Sequence, residues 1–337
     1  MNYMEWLSSK TKTAWWTDTA DINDIKKALA IGAVGVTTNP VLAAQSLSAS
    51  PEKWRGLVKD GMKPAEKAEA LMQGIVKEIA DLILPEYKKS KGRQGYVCGQ
   101  VNPEKQSDTK HMVEMAIRYS KWAPNIAVKL PGTLAGMRAV EECVANGITV
   151  ASTANFTVPQ ALAVGESCRK GGERAKKVGK TAGKCFVAVM IGRLDDYLRD
   201  VAADNGILMN EADITKAGLA VIKRAYSIFN ERKYEAILIP AAMRGSYHVT
   251  EIAGSNMILS VPPKIEKAVL DSNAAQEEKI AQPVDEGAIE RLTKLHEFVR
   301  AYEPDGIKPE DFINYGLAQR TLTQFVYGGW GKMEGFK

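Results

Sequence analysis

Three histidines and four widely separated cysteines (Cys98, Cys143, Cys168 and Cys185) leave this chain with no CxxC pair and no histidines at metal-ligand spacing. No metal centre is expected, and the cysteines read as free thiols of a reducing compartment. No apolar stretch approaches the roughly 18 residues that a membrane helix requires. The stretch from Met1 to Lys12 is polar and lacks the apolar core of a secretory signal, so a cytoplasmic protein without membrane contact is expected. The net charge of +5 is too mild to indicate nucleic acid. The basic run from Arg169 to Lys177, continued by Lys180 and Lys184, reads as a solvated helix or loop. Gly179-Lys180-Thr181 echoes a phosphate loop, but the first glycine of that motif would fall on Arg174.

What remains is an ordinary globular composition, 45% hydrophobic and 25% charged, over 337 residues. That length accommodates an α/β barrel as one domain, 1–337, with 51–93 read as an outer helical insertion and 286–337 as a helical C-terminal tail. Short apolar runs alternate with helical patterns: Ala14–Asp18, Ala33–Thr37, Gly95–Val101, Ile126–Leu130, Ile148–Thr153, Cys185–Ile191, Ala236–Ala242 and Met257–Ser260. Strands alternating with helices predict a parallel (β/α)8 barrel, the TIM-barrel architecture. The helix after the fifth strand is expected from about Val158 to Cys168. The aromatic end of the tail (Phe325, Tyr327, Trp330 and Phe336) is suited to covering a barrel mouth or a neighbouring subunit, and a homo-oligomer is expected.

The fourth run, Asn125-Ile-Ala-Val-Lys-Leu-Pro-Gly-Thr133, carries one cation inside an apolar strand. Desolvating an ammonium is costly, and buried lysines in general relieve that cost through the neutral amine, which is a nucleophile for carbonyls. The alternative is that Lys129 snorkels to water from the strand end. Active sites of such barrels lie at the C-terminal ends of the strands. Those ends place Asp18, Thr38, Asn39, Gln100, Lys129, Thr153, Arg193 and Arg244 together, which favours the nucleophile.

Each of these residues also has a plainer role. Asp18 is the only strand-end carboxylate and the proton-transfer candidate, or it caps the helix beginning near Ile22. Gln100 and Thr153 suit a water relay at an imine, while Thr153 also suits a strand as a β-branched residue. Asn39 either hydrogen-bonds a substrate hydroxyl or turns the chain before Pro40; Thr38 and Ser152 beside these positions are further substrate-binding candidates. Arg193 and Arg244 converge on an anion, or pair with surface acids such as Asp195 or Glu251.

Four motifs in this order resemble the transaldolase family of class I aldolases, which includes the fructose-6-phosphate aldolases: Thr37-Thr38-Asn39-Pro40, Val128-Lys129-Leu130-Pro131, Gly192-Arg193-Leu194-Asp195-Asp196 and His248-Val249-Thr250-Glu251. The likeness runs from about Trp16 to Pro262. It implies Lys129 as the Schiff-base lysine, Asp18 as the acid/base on the C4 hydroxyl, and Asn39 as a donor to substrate hydroxyls. Thr153 and Gln100 would hold a catalytic water, and Arg193 and Arg244 a distal phosphate.

Departures bear on the substrate. Gln100 and Ala188 resemble the fructose-6-phosphate aldolase branch, Met190 matches neither branch, and Ala242 stands where a phosphate-binding serine is usual, which leaves a sulfonate or other anionic tail open. The expected activity is transfer of a three-carbon dihydroxyacetone unit from an anionic ketose to an aldehyde, with no metal or cofactor. The alternatives are an aldolase releasing free dihydroxyacetone and a non-catalytic sugar-phosphate-binding barrel. A phosphate-binding isomerase would need a strand-end glutamate or histidine base, which the chain lacks.

Overall fold

A computed structural model describes residues 1–337. The apolar runs form strands β1 Ala14–Asp18, β2 Gly35–Thr37, β3 Tyr96–Gln100, β4 Ile126–Pro131, β5 Val150–Asn155, β6 Cys185–Val189, β7 Ile237–Pro240 and β8 Ile258–Val261. Their order, β7-β6-β5-β4-β3-β2-β1-β8, is entirely parallel. β7 and β8 approach each other at the seam, so the ring is nearly closed and the architecture is a (β/α)8 barrel.

Side chains alternate along each strand between the ring interior and the helical layer. An outward set, including Val97, Val128, Val150, Val187 and Leu259, joins the helices in a cluster of 83 buried residues. An inward cluster of nine fills the ring, with Trp16 and Tyr96 meeting Phe186 edge-on at centroid distances of 4.9 and 5.4 Å. The interior of the barrel is therefore plugged with aromatic rings.

Polar caps start the helices that return from that end. Asp21, not Asp18, caps Ile22–Ala30 by accepting from Asn23 and Asp24 N–H. Asn39 caps Pro40–Ala49, and Thr133 caps Leu134–Ala145. Asp18 is thus free of the capping role, whereas Asn39 spends its carbonyl oxygen on Val41 and Leu42 N–H.

Residues 51–93 contain the helices Pro51–Arg55 and Pro64–Lys89, and the long one packs Leu71, Ile75 and Ile79 inward beside β3. This segment supplies helices of the layer around the ring. The helix after β5 runs from Val158 to Lys177, so most of the basic run is helical. Arg169 and Arg174 pair there with Glu166, Glu141 and Glu142 at the surface.

After helices Glu286–Leu292 and His296–Tyr302, the tail's helix Gly316–Phe325 and its π-helical turn Val326–Trp330 pack beside the end of β5 and helix Pro40–Ala49. Phe325 and Trp330 are buried within the same chain, while Tyr327 is 76% exposed. No helix is long and apolar enough to cross a membrane.

The join between β4 and its helix gives a direct stability test. A Cβ added at Gly136, in the first turn of that helix, would run into the Pro131 carbonyl oxygen at the end of β4. Gly136→Ala is expected to cost roughly 1–3 kcal/mol in a denaturant titration. An unchanged midpoint would contradict so tight a join.

Candidate active site

Moving two residues past the inward cluster on each strand gives the next inward layer, and that layer carries the chemistry. Trp16 is followed by Asp18, Cys98 by Gln100, Ala127 by Lys129, Ala151 by Thr153, and Ile258 by Ser260. Strand register sets Gln100 beside Lys129, and Thr153 beside Pro131 at the end of β4.

Lys129 is 5% exposed, and its Nζ donates to the Thr38 carbonyl at 2.8 Å. It does not snorkel out. The Thr38 hydroxyl faces the other way and donates to the Cys98 carbonyl at 2.7 Å. Thr38 therefore meets the lysine through its backbone carbonyl.

Asp18 lies across the ring from Lys129. Burial pushes its carboxyl above the usual carboxylate range, against the opposing pull of Lys129, a Thr37 hydrogen bond and Arg193. Thr37 Oγ1 donates to Asp18 Oδ1 at 2.7 Å and lies 2.7 Å from Ser260 Oγ. Because the single Thr37 hydroxyl hydrogen goes to Asp18, the Ser260 hydroxyl must donate to Thr37. Strand alternation makes both inward residues; Thr37 also stands in the Thr37-Thr38-Asn39-Pro40 motif, whereas the small Ser260 hydroxyl gives no other signal.

Gln100 Oε1 and Thr153 Oγ1 are buried and make no hydrogen bond within the chain. Buried polar atoms are nearly always partnered, so two unused ones beside a lysine mark a place for a ligand or water. Ser152 faces the wall, where it accepts from Asn155 Nδ2 at 3.1 Å. Its neighbour Thr153 lies on the opposite, inward face of the strand. Asn39, with its oxygen used by the helix, retains its amide N–H groups as donors.

The basic side of the mouth is built after β6 and β7. Arg193 belongs to the first turn of helix Ile191–Asp204 and has no carboxylate within ion-pair distance. Its nearest polar contact is Thr321 Oγ1 at 3.5 Å, and the Phe325 ring centroid lies 5.9 Å from its guanidinium carbon. Burial and the adjacent Arg244 hold its pKa below the ordinary arginine value. Arg244 is more exposed, and the surface acid it pairs with is Asp196, while Glu251 pairs with Lys279. A desolvated guanidinium beside a second one is an arrangement that an anion would relieve.

The chain holds no cluster of three or more His, Cys, Asp or Glu side chains able to bind a metal ion. A family model described as transaldolase/fructose-6-phosphate aldolase matches residues 15–314. A probable transaldolase of Dehalococcoides mccartyi is 30% identical over 250 residues, covering 74% of this chain and 86% of that protein. A transaldolase of Thiobacillus denitrificans is 29% identical over 298 residues, covering 80% and 81%. A probable transaldolase of Agathobacter rectalis is 27% identical over 254 residues, covering 74% and 87%.

Proposed function

The chain belongs to the transaldolase/fructose-6-phosphate aldolase family, and from that membership we propose that it transfers a dihydroxyacetone unit between sugars through a Schiff base on Lys129. The enzyme is a transaldolase-like aldolase; the covalent route and the transferred unit are the proposal. The observation that carries it is the inward layer in which Lys129, Asp18, Gln100 and Thr153 meet above an apolar plug.

In this reading the unprotonated Lys129 amine adds to C2 of an anionic ketose, and loss of water leaves an imine. Asp18 takes the proton of the C4 hydroxyl, the C3–C4 bond breaks, and an aldehyde leaves while its electron pair is held as an enamine on Lys129. The enamine carbon then attacks an acceptor aldehyde. Asp18 returns its proton to the new alkoxide, and water hydrolyses the imine to free the lysine.

The unpartnered Gln100 Oε1 and Thr153 Oγ1 support the water's place beside the imine. The Asn39 amide is a donor to substrate hydroxyls, and Arg193 with Arg244 receives the distal anion. Because the protonated imine is itself the electron sink, the steps balance without a metal or redox cofactor.

Turnover of a ketose with and without an added acceptor aldehyde distinguishes transfer from simple cleavage. A transferase is expected to cleave at least about tenfold faster when the acceptor is present, because the enamine is discharged by aldehyde and not by protonation. Equal rates with stoichiometric release of dihydroxyacetone would instead assign a simple aldolase.

A further inference from the structure

Two residues conspicuous in the sequence, Asp195 and His248, have no place in the steps above. Their side chains are 1% and 0% exposed, with Asp195 Oδ2 and His248 Nε2 3.1 Å apart. A carboxylate so deeply buried needs donors around it. Asp195 Oδ1 accepts the Gly218 N–H at 2.8 Å, and on the far side of the imidazole His248 Nδ1 accepts the Arg244 backbone N–H at 3.1 Å.

A ring nitrogen that accepts carries no proton, so the imidazole hydrogen sits on Nε2 and faces Asp195. That contact is close but bent away from a straight hydrogen bond. The Arg244 N–H fixes the tautomer through Nδ1, and Asp195 packs its carboxyl against the Nε2 side of the ring.

The neighbouring carboxylate completes the arrangement. Asp196 Oδ2 accepts from Arg244 Nε at 2.8 Å and lies 2.7 Å from Nη2, while Nη1 donates to the Ala242 carbonyl at 2.6 Å. Ala242 itself has φ +57°, a left-handed conformation that alanine rarely adopts. Gly192 is packed so closely that a Cβ would strike the Ala242 carbonyl and Arg244 Cγ. An unusual turn after β7 is thus clamped from three sides by the start of the β6 helix and by His248.

We propose that His248 and Asp195 are positioning residues for the anion site: the imidazole holds the Arg244 backbone while Asp196 holds its guanidinium, so that the turn presents this cation beside Arg193. The inference rests on the reading that Arg193 and Arg244 receive the anionic end of the substrate. Without the imidazole acceptor the Arg244 N–H is unpaired and the left-handed turn loses its tether. The guanidinium then samples positions away from Arg193. Lys129 and Asp18 sit on β4 and β1, away from this turn, so the loss falls on binding of anionic substrates and not on the imine chemistry.

The test compares His248→Phe, His248→Asn and His248→Gln with Arg244→Gln, using fructose 6-phosphate and neutral fructose as donors to one aldehyde. Melting curves accompany the kinetics. His248→Phe is expected to raise KM for the phosphorylated donor about tenfold or more, with KM for fructose and both kcat values within about twofold. His248→Asn, whose amide oxygen reaches the Nδ1 position, is expected to restore most of that KM; His248→Gln, which reaches toward Nε2, is not.

A phosphorylated-donor KM unchanged in His248→Phe while raised in Arg244→Gln would overturn the positioning role. So would an equal loss toward both donors. If His248→Phe does not fold, identical behaviour of the Asn and Gln variants overturns it. If Arg244→Gln leaves the phosphorylated-donor KM unchanged, the anion reading falls, and the inference with it.

Discussion

Lys129→Ala is expected to lower turnover by at least about 10^4-fold, because the substitution removes the atom on which the covalent intermediate forms. No neighbouring group is available to replace it: the inward layer around Lys129 consists of an amide, hydroxyls and the Asp18 carboxyl. The Thr38 carbonyl loses its donor, but a buried cation is removed at the same time, so the variant is expected to keep its cooperative melt. Steady-state kinetics with a phosphorylated ketose and an aldehyde measures the effect. Residual activity above about a tenth of the parent would mean that Lys129 only assists a reaction carried elsewhere.

Asp18→Asn is expected to reduce kcat/KM by about 10^2–10^4-fold, the usual contribution of a positioned acid/base group. The pH profile identifies the cause. Burial raises the Asp18 carboxyl above the ordinary value of about 4, and the base form is needed to accept the hydroxyl proton. The acid limb of kcat/KM is therefore expected above the usual carboxylate range in the parent and absent in the variant.

Stability moves in the opposite direction. A carboxyl with a raised folded-state pKa contributes stability that is complete below its unfolded pKa and is lost as pH rises through the folded value. Burial makes the charged form of Asp18 a liability that its Thr37 bond and Lys129 only partly offset. Asp18→Asn is expected to melt higher than the parent at pH 7, with the gap closing below about pH 4. A variant that melts lower at neutral pH, or retains the acid limb, would contradict the role given to Asp18.

The strand-end chemistry was legible because barrel strands alternate strictly. Asp18, Gln100, Lys129 and Thr153 all sit two positions beyond an inward apolar residue, and a reader of the sequence needs only the strand limits to find them. The same alternation separates neighbouring positions. Ser152 adjoins Thr153, and Thr38 adjoins Thr37, yet one step along a strand turns a side chain to the opposite face. The strand ends themselves were harder to judge: β6 stops at Val189, and Gly192 and Arg193 lie in a helix that starts earlier than the apolar run implied.

Partners across long sequence separations left no local trace. Nothing near Arg244 announces that Asp196 holds its guanidinium, because that pairing exists only once the β6 and β7 returns lie side by side. The extent of helix Val158–Lys177 was hidden for a related reason. The basic run reads as helix or loop, and what settles it is Gly171 and Ala175, buried one turn apart on the face packed toward helix Leu134–Ala145. The Asp18 capping alternative was resolved by Asp21, three residues on, which was already the better-placed carboxylate for that helix.

The most direct test of covalent catalysis is the mass of the protein after borohydride reduction in the presence of a ketose donor without acceptor, followed by peptide mapping. A single adduct of one reduced three-carbon dihydroxyacetone unit on the peptide containing Lys129, and none in Lys129→Ala, is the predicted result. An adduct on another lysine, or turnover of the ketose with no trapped carbon at all, would contradict the account.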